Sequence, residues 1–172
     1  MNKTVGTWQE QLWDLLRQNE VEIFGYVPDA GHKHLINQAI ADPKVHDVSL
    51  TNEMEGIGLC CGANLGGKKA VLLMQSSGVG NTINLLSLVK LGNFPFLTLV
   101  TMRGNFGEGN PWQFPMGQGT QAALEAMGVI CLPVWTEEDV IPTVEAALTM
   151  AFKSGNAVAV LLTQRLIGAK EF

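Results

Sequence analysis

The chain is short of charge. Only 11 of its 172 residues are Lys or Arg and 16 are Asp or Glu, 16% in all, against roughly 25% in an ordinary soluble domain. The formal net charge of −5 argues against nonspecific nucleic-acid binding. Cysteine is scarce too. Cys60 and Cys61 are adjacent and Cys131 is far from both, which gives neither a disulfide framework nor metal-ligand spacing and points to a reducing compartment. The longest apolar stretch, residues 85–102, is interrupted by Lys90, Gly92, Asn93 and Pro95, so no membrane span is expected. The opening MNKTVGTWQEQLW lacks the continuous apolar core of a signal peptide, and a cytoplasmic location is expected. What is present is an apolar fraction of 47% in a length that suits one domain, residues 1–172. With so little charge, part of the surface is expected to lie against another chain.

Thr7 and Glu10 form a T-x-x-E capping box, and Trp8, Leu12, Leu15 and Leu16 follow at helical spacing, predicting a helix that runs to Asn19. Strands are predicted at 21–26, 45–50, 69–74, 96–102, 129–134 and 157–163, where short runs are apolar almost throughout. Between them the pattern turns helical at 32–41, 53–65, 81–91, 120–127 and 136–152, with Gly66-Gly67 closing the third helix. Residues 75–80 read as a Gly/Ser loop, and 103–117, with four Gly and two Pro, as one long loop. Apolar strands alternating with helices predict an α/β fold: a doubly wound six-stranded parallel sheet with helices on both faces.

In such sheets ligands bind beyond the carboxyl ends of the strands, which selects the loops at 27–34, 51–55, 75–81 and 103–117. Gln75-Ser76-Ser77-Gly78-Val79-Gly80-Asn81 has two readings, an anion cradle of backbone N–H groups or a tight turn that needs small residues. It has neither the Lys-Ser/Thr ending of a P-loop nor the third Gly of a dinucleotide fingerprint. Glu53, after Asn52, is either a first-turn carboxylate that complements the helix dipole or a proton-sharing group in an apolar cleft. His32, His34 and His46 show no metal pattern, since H-x-H on a helix diverges by about 200°. His32, beside Gly31 at the strand edge, either packs or meets substrate, and Cys60 and Cys61 read as packing residues.

Asn52-Glu53, Gly62 nine residues beyond Glu53, and Leu73-Met74-Gln75-Ser76-Ser77-Gly78-Val79-Gly80-Asn81 together resemble the pyrimidine-binding domain of thiamine diphosphate-dependent 2-oxoacid decarboxylases, over nearly the whole chain. Val27-Pro28-Asp29 and Phe114-Pro115-Met116-Gly117 narrow the resemblance to the sulfopyruvate decarboxylase alpha-subunit group, with phosphonopyruvate decarboxylases next. The resemblance implies thiamine diphosphate as cofactor. It implies that Glu53 hydrogen-bonds N1′ of the aminopyrimidine, promoting the imino tautomer that removes the thiazolium C2 proton. It also sets Val27, Pro28 and Gln75 near the cofactor and Asp29 near the substrate. The superfamily's diphosphate domain carries a Gly-Asp-Gly motif followed by Asn, and no Gly-Asp-Gly occurs here. A beta subunit is therefore expected to bind Mg²⁺ and share the cofactor, and an isolated chain can pair with itself through the uncovered surface.

The implied reaction is decarboxylation of a short anionic 2-oxoacid, sulfopyruvate to sulfoacetaldehyde and CO₂ first and phosphonopyruvate second. His32, Lys33 and Arg103 are candidates to meet the substrate's distal anion. The chain departs from the group in one place: related enzymes resemble V-P-C-S-L-L or V-P-D-S-L-L where this chain reads V-P-D-A-G-H. A noncatalytic binding module of the same fold is the alternative from another class, as is a flavodoxin-like nucleotide binder.

Overall fold

The computed structural model describes residues 6–169. Residues 1–5, which open the segment read for a leader, and residues 170–172 lie outside that range. In chain order the elements are α1 (Trp8–Gln18), β1 (Val21–Tyr26), α2 (Lys33–Ala41), β2 (His46–Ser49), α3 (Glu53–Leu65), β3 (Lys69–Gln75), α4 (Ser76–Thr82) and α5 (Leu86–Gly92). There follow β4 (Phe96–Thr101), a 3₁₀ turn (Pro111–Gln113), α6 (Phe114–Ala126), β5 (Ile130–Val134), α7 (Val140–Phe152), β6 (Ala157–Leu162) and α8 (Gln164–Ile167).

The six strands form one all-parallel sheet in the order β2-β1-β3-β4-β6-β5. Strands β3 and β4 are central and buried at almost every position because helices cover both faces. Helices α1, α2 and α7 bury Leu12, Leu16, Leu35, Val140 and Val144 on one face. On the other, α3 to α6 bury Ile57, Cys60, Val79, Leu86 and Leu124. The chain first runs outward to β2, then returns past β1 to β3, and it turns back again when β6 is laid between β4 and β5. At such reversals the connecting helices go to opposite faces and leave a crevice at the carboxyl edge. Among the described residues no helix is long and apolar enough to cross a membrane.

Several sequence-based boundaries are corrected. Residues 75–80 are not a loop ahead of a helix at 81: α4 starts at Ser76, stops at Thr82, and α5 follows separately. Its sequence, SSGVGNT, has poor intrinsic helicity, so neighbours hold it in place. Ser76 Oγ accepts from the Arg103 N–H at 3.0 Å, and Ser76 O accepts from Thr120 Oγ1 at 3.3 Å. The long loop is shorter than expected, because Phe114-Pro115-Met116-Gly117 is the first turn of α6, where proline removes no helical hydrogen bond. Helix α7 starts at Val140, four residues late, and α8 was not anticipated.

The base of the 103–117 segment is closed by two glycines. A Cβ on Gly117 would run into the carbonyl of Arg103, and one on Gly104, whose φ is 78°, into that of Gln113. Because the obstacle is main chain, Gly117→Ala is expected to cost about 3 kcal/mol. Thermal unfolding checks this, and an unchanged Tm would show that the two segments move apart freely.

Candidate active site

Asn52 has extended backbone and its side-chain oxygen accepts from the Met54 N–H at 2.9 Å, so it caps α3. Glu55 reaches back to accept from the Thr51 N–H at 2.9 Å. With both tasks taken by neighbours, Glu53 turns toward α4, where its Oε2 accepts from Asn81 Nδ2 at 2.9 Å. A Cβ on Gly78 would run into the Glu53 carboxyl group, so the glycine is what makes room for it. Glu53 is 9% exposed. It borders an open cleft of about 780 Å³ together with Ser77, Gly78, Asn81, Trp112 and Met116. Asn81 was absent from the residues picked by sequence because a helix was expected to begin there. Its signal was the three-residue spacing from Gly78, which puts both on one face of a helix.

Asp29 organises a second cluster. Its Oδ1 accepts from Gln75 Nε2 at 3.1 Å, and its Oδ2 accepts from Thr101 Oγ1 at 2.7 Å and from the Gly31 N–H at 3.1 Å. Gln75 Oε1 in turn accepts from Ser77 Oγ at 2.7 Å, and Ser77 lines the Glu53 cleft. Asp29, Gly31, Thr101, Arg103 and Ile167 surround a smaller hollow of about 250 Å³. Val27 is half-buried against the α3 side of the core, and Pro28 is exposed.

The three residues considered for a distal anion differ in their surroundings. Lys33 is exposed on the first turn of α2. His32 is 2% exposed, and its Nε2 donates to the carbonyls of Leu99 at 3.0 Å and Met74 at 3.3 Å. Burial pushes the pKa of this ring down, against the opposing pull of Asp29 and the two carbonyls. Such surroundings fit the packing reading of His32.

Arg103 grips Glu108 with Nε and with Nη2, the latter at 2.7 Å. The Glu108 side chain is wholly enclosed and also accepts from Gln164 Nε2 and the Asn110 N–H, each at 2.9 Å. Gln164, itself fully buried, accepts through Oε1 from the N–H groups of Asn105 and Phe106. The loop after β4 is thereby tied to the residue that starts α8. Glu108 and Gln164 were missed because the first lies in an aperiodic segment and nothing in the chain marks the second as its partner.

The Arg103 fork, supported by Asn110 and Gln164, holds the Glu108 carboxyl at about 2. A folded pKa below the ordinary 4.5 contributes stability that is present above 4.5 and lost as pH falls through about 2. Glu108→Gln is expected to flatten that acid limb. Urea midpoints compared at about pH 5 and about pH 3 test it, and parallel declines in the two proteins would remove the role.

Cys60 and Cys61 pack in the core, where burial raises the pKa of both thiols. Among the described residues no group of three or more His, Cys, Asp or Glu is placed to hold a metal ion.

No protein-family model matches the chain. Among solved structures, 2-oxoglutarate:ferredoxin oxidoreductase from Magnetococcus marinus shares the fold with a TM-score of 0.75 at 17% identity, over 94% of this chain and 29% of that one. Sequence similarity runs much closer. The sulfopyruvate decarboxylase subunit alpha of Methanococcus maripaludis is 35% identical over 154 residues, 89% of this chain and 92% of its own. The protein of the same name from Methanocaldococcus jannaschii is 32% identical over 151 residues, 87% and 89% of the two chains. Identity of this extent, running nearly end to end through a site built around Glu53, makes the chain a member of the sulfopyruvate decarboxylase alpha-subunit family.

Proposed function

We propose that the chain, as one pyrimidine-binding domain of residues 1–172, is the alpha subunit of a cytoplasmic, heteromeric thiamine diphosphate-dependent decarboxylase that converts sulfopyruvate to sulfoacetaldehyde and CO₂. The observation that carries this is the Glu53 carboxylate, one oxygen held by Asn81 and the other in the space left by Gly78, at the wall of an open cleft. These residues fit the pyrimidine end of the cofactor: a carboxylate for a ring nitrogen, and Trp112, Pro115 and Met116 as apolar walls for an aromatic ring. When bound, thiamine diphosphate supplies the electron sink for the carbanion left by loss of CO₂.

The chain's own residues position and protonate. Glu53 holds a proton at the ring nitrogen, and Asn81 fixes which carboxyl oxygen does so. Val27 and Pro28 form the turn that carries Asp29 to the strand edge. Gln75 orients Asp29 and, through Ser77, faces the cofactor cleft. Asp29, with three donors on its two oxygens, repels a substrate carboxylate and favours its departure as neutral CO₂. Arg103 lines the smaller hollow together with Asp29 and puts a basic group in its wall. Mg²⁺ and the cofactor's diphosphate are assigned to a beta subunit, since the chain has no Gly-Asp-Gly. Val27-Pro28-Asp29 matches the V-P-D of phosphonopyruvate decarboxylases and favours phosphonopyruvate as the second substrate.

The test is to purify the chain alone and with a Gly-Asp-Gly beta subunit, and to assay sulfopyruvate, phosphonopyruvate and pyruvate. The pair is expected to release sulfoacetaldehyde, and the single chain to be inert. Equal rates on pyruvate would remove the requirement for a distal anion, and turnover by the single chain would remove the two-subunit reading.

A further inference from the structure

The turn after β1 reads V-P-D-A-G-H, and its last two residues pack around Asp29. A Cβ at Gly31 would stand 2.6 Å from Thr101 Cγ2, 2.9 Å from Thr101 Cβ and 3.0 Å from Asp29 Oδ2. Only a residue without a side chain lets Thr101 approach closely enough to donate to Asp29. His32 lies beneath the turn, and its Nε2–H is shared between the carbonyls of Met74 in β3 and Leu99 in β4. Those two strands end in Gln75 and Thr101, the side chains that reach Asp29.

We infer that Gly31 and His32 are positioning residues for Asp29: the imidazole pins the turn to the strands that supply the two donors, and the glycine admits the second of them. Leucine at these positions could do neither, having a Cβ in the way at 31 and no donor at 32. The arrangement makes the Asp29 carboxylate a fixed feature of the hollow it shares with Arg103. Its catalytic consequence rests on the reading of Asp29 as facing substrate, and its structural part does not.

His32→Leu, His32→Gln and Gly31→Ala are compared in the full chain, by NMR of the Gln75 side-chain amide and the Gly31 backbone amide, and in the two-subunit complex by kinetics. His32→Leu is expected to shift both resonances, and to lower kcat about 10- to 100-fold with KM within about twofold, as for a displaced catalytic group. His32→Gln, whose amide nitrogen can donate as Nε2 does, is expected to recover most of both. Gly31→Ala, with His32 intact, is expected to move the Gln75 amide by pushing Thr101 away. Unmoved resonances in His32→Leu and Gly31→Ala would overturn the inference, as would a His32→Gln protein no better than His32→Leu. Shifted resonances in a complex whose unsubstituted form ignores sulfopyruvate would sink the proposed substrate and leave the positioning role standing.

Discussion

Glu53→Gln in the assembled complex is expected to lower C2-proton exchange of bound thiamine diphosphate by on the order of 10²–10⁴-fold, with fold and subunit association intact. The amide has the shape of the carboxylate, and its oxygen can still accept from Asn81. What it presents to the space beside Gly78 is then an NH₂ group, which cannot take up and return a proton. The helix start should not suffer, because Asn52 and Glu55, not Glu53, make the capping contacts. Exchange into deuterated buffer, followed by proton NMR, gives the rate directly. An unchanged rate would reduce Glu53 to a first-turn carboxylate of α3.

Gly78→Ala is expected to reach a similar end by displacement. The added methyl would occupy the place of the Glu53 carboxyl group, and α4 has little freedom to recede, since Ser76 is bonded to Arg103 on one side and Thr120 on the other. The carboxylate must then leave Asn81 and turn out of the cleft. Turnover of the complex is expected to fall about 100-fold, with a stability loss of about 1–2 kcal/mol. Gly58→Ala, on the α3 helix that carries Glu53 and facing open space, controls for the loss of a helical glycine alone. Cofactor titration by calorimetry and a thermal melt of both variants separate the two effects. Unaltered cofactor affinity in Gly78→Ala would mean that the cleft does not depend on where Glu53 stands.

The inner strands were legible in the sequence because they are buried and read as apolar runs, and α3 was legible to its ends because an N-cap Asn and a Gly-Gly stop bracket it. Helix α4 was not. SSGVGNT carries two glycines and two serines, and its helical form depends on Gly78 meeting Glu53 and on Ser76 meeting Arg103 and Thr120, contacts between segments far apart in the chain. The same holds for the site. Glu53, Asp29 and Gln75 stand next to recognisable turns, whereas Asn81, Thr101, Glu108 and Gln164 owe their roles to neighbours that only the folded chain supplies. His32 shows the converse. A histidine beside a glycine at a strand edge invites a functional reading, and its bonds to two main-chain carbonyls from different strands have no trace in the local sequence.

The single amide of Gln75 has a consequence for the two hollows it lies between. Its nitrogen is committed to Asp29 and its oxygen to Ser77, so the group cannot rotate for one without disturbing the other. Occupancy on the Asp29 side and occupancy on the Ser77 side are therefore expected to be linked, and any such linkage is symmetric: whatever factor one ligand applies to the affinity of the second, the second returns to the first. A double-mutant cycle of Asp29→Asn and Ser77→Ala would show a non-additive term for this pair, although the two side chains are joined only through Gln75. Under the proposed function, such a link would let the Glu53 cleft report its occupancy to the Asp29 hollow.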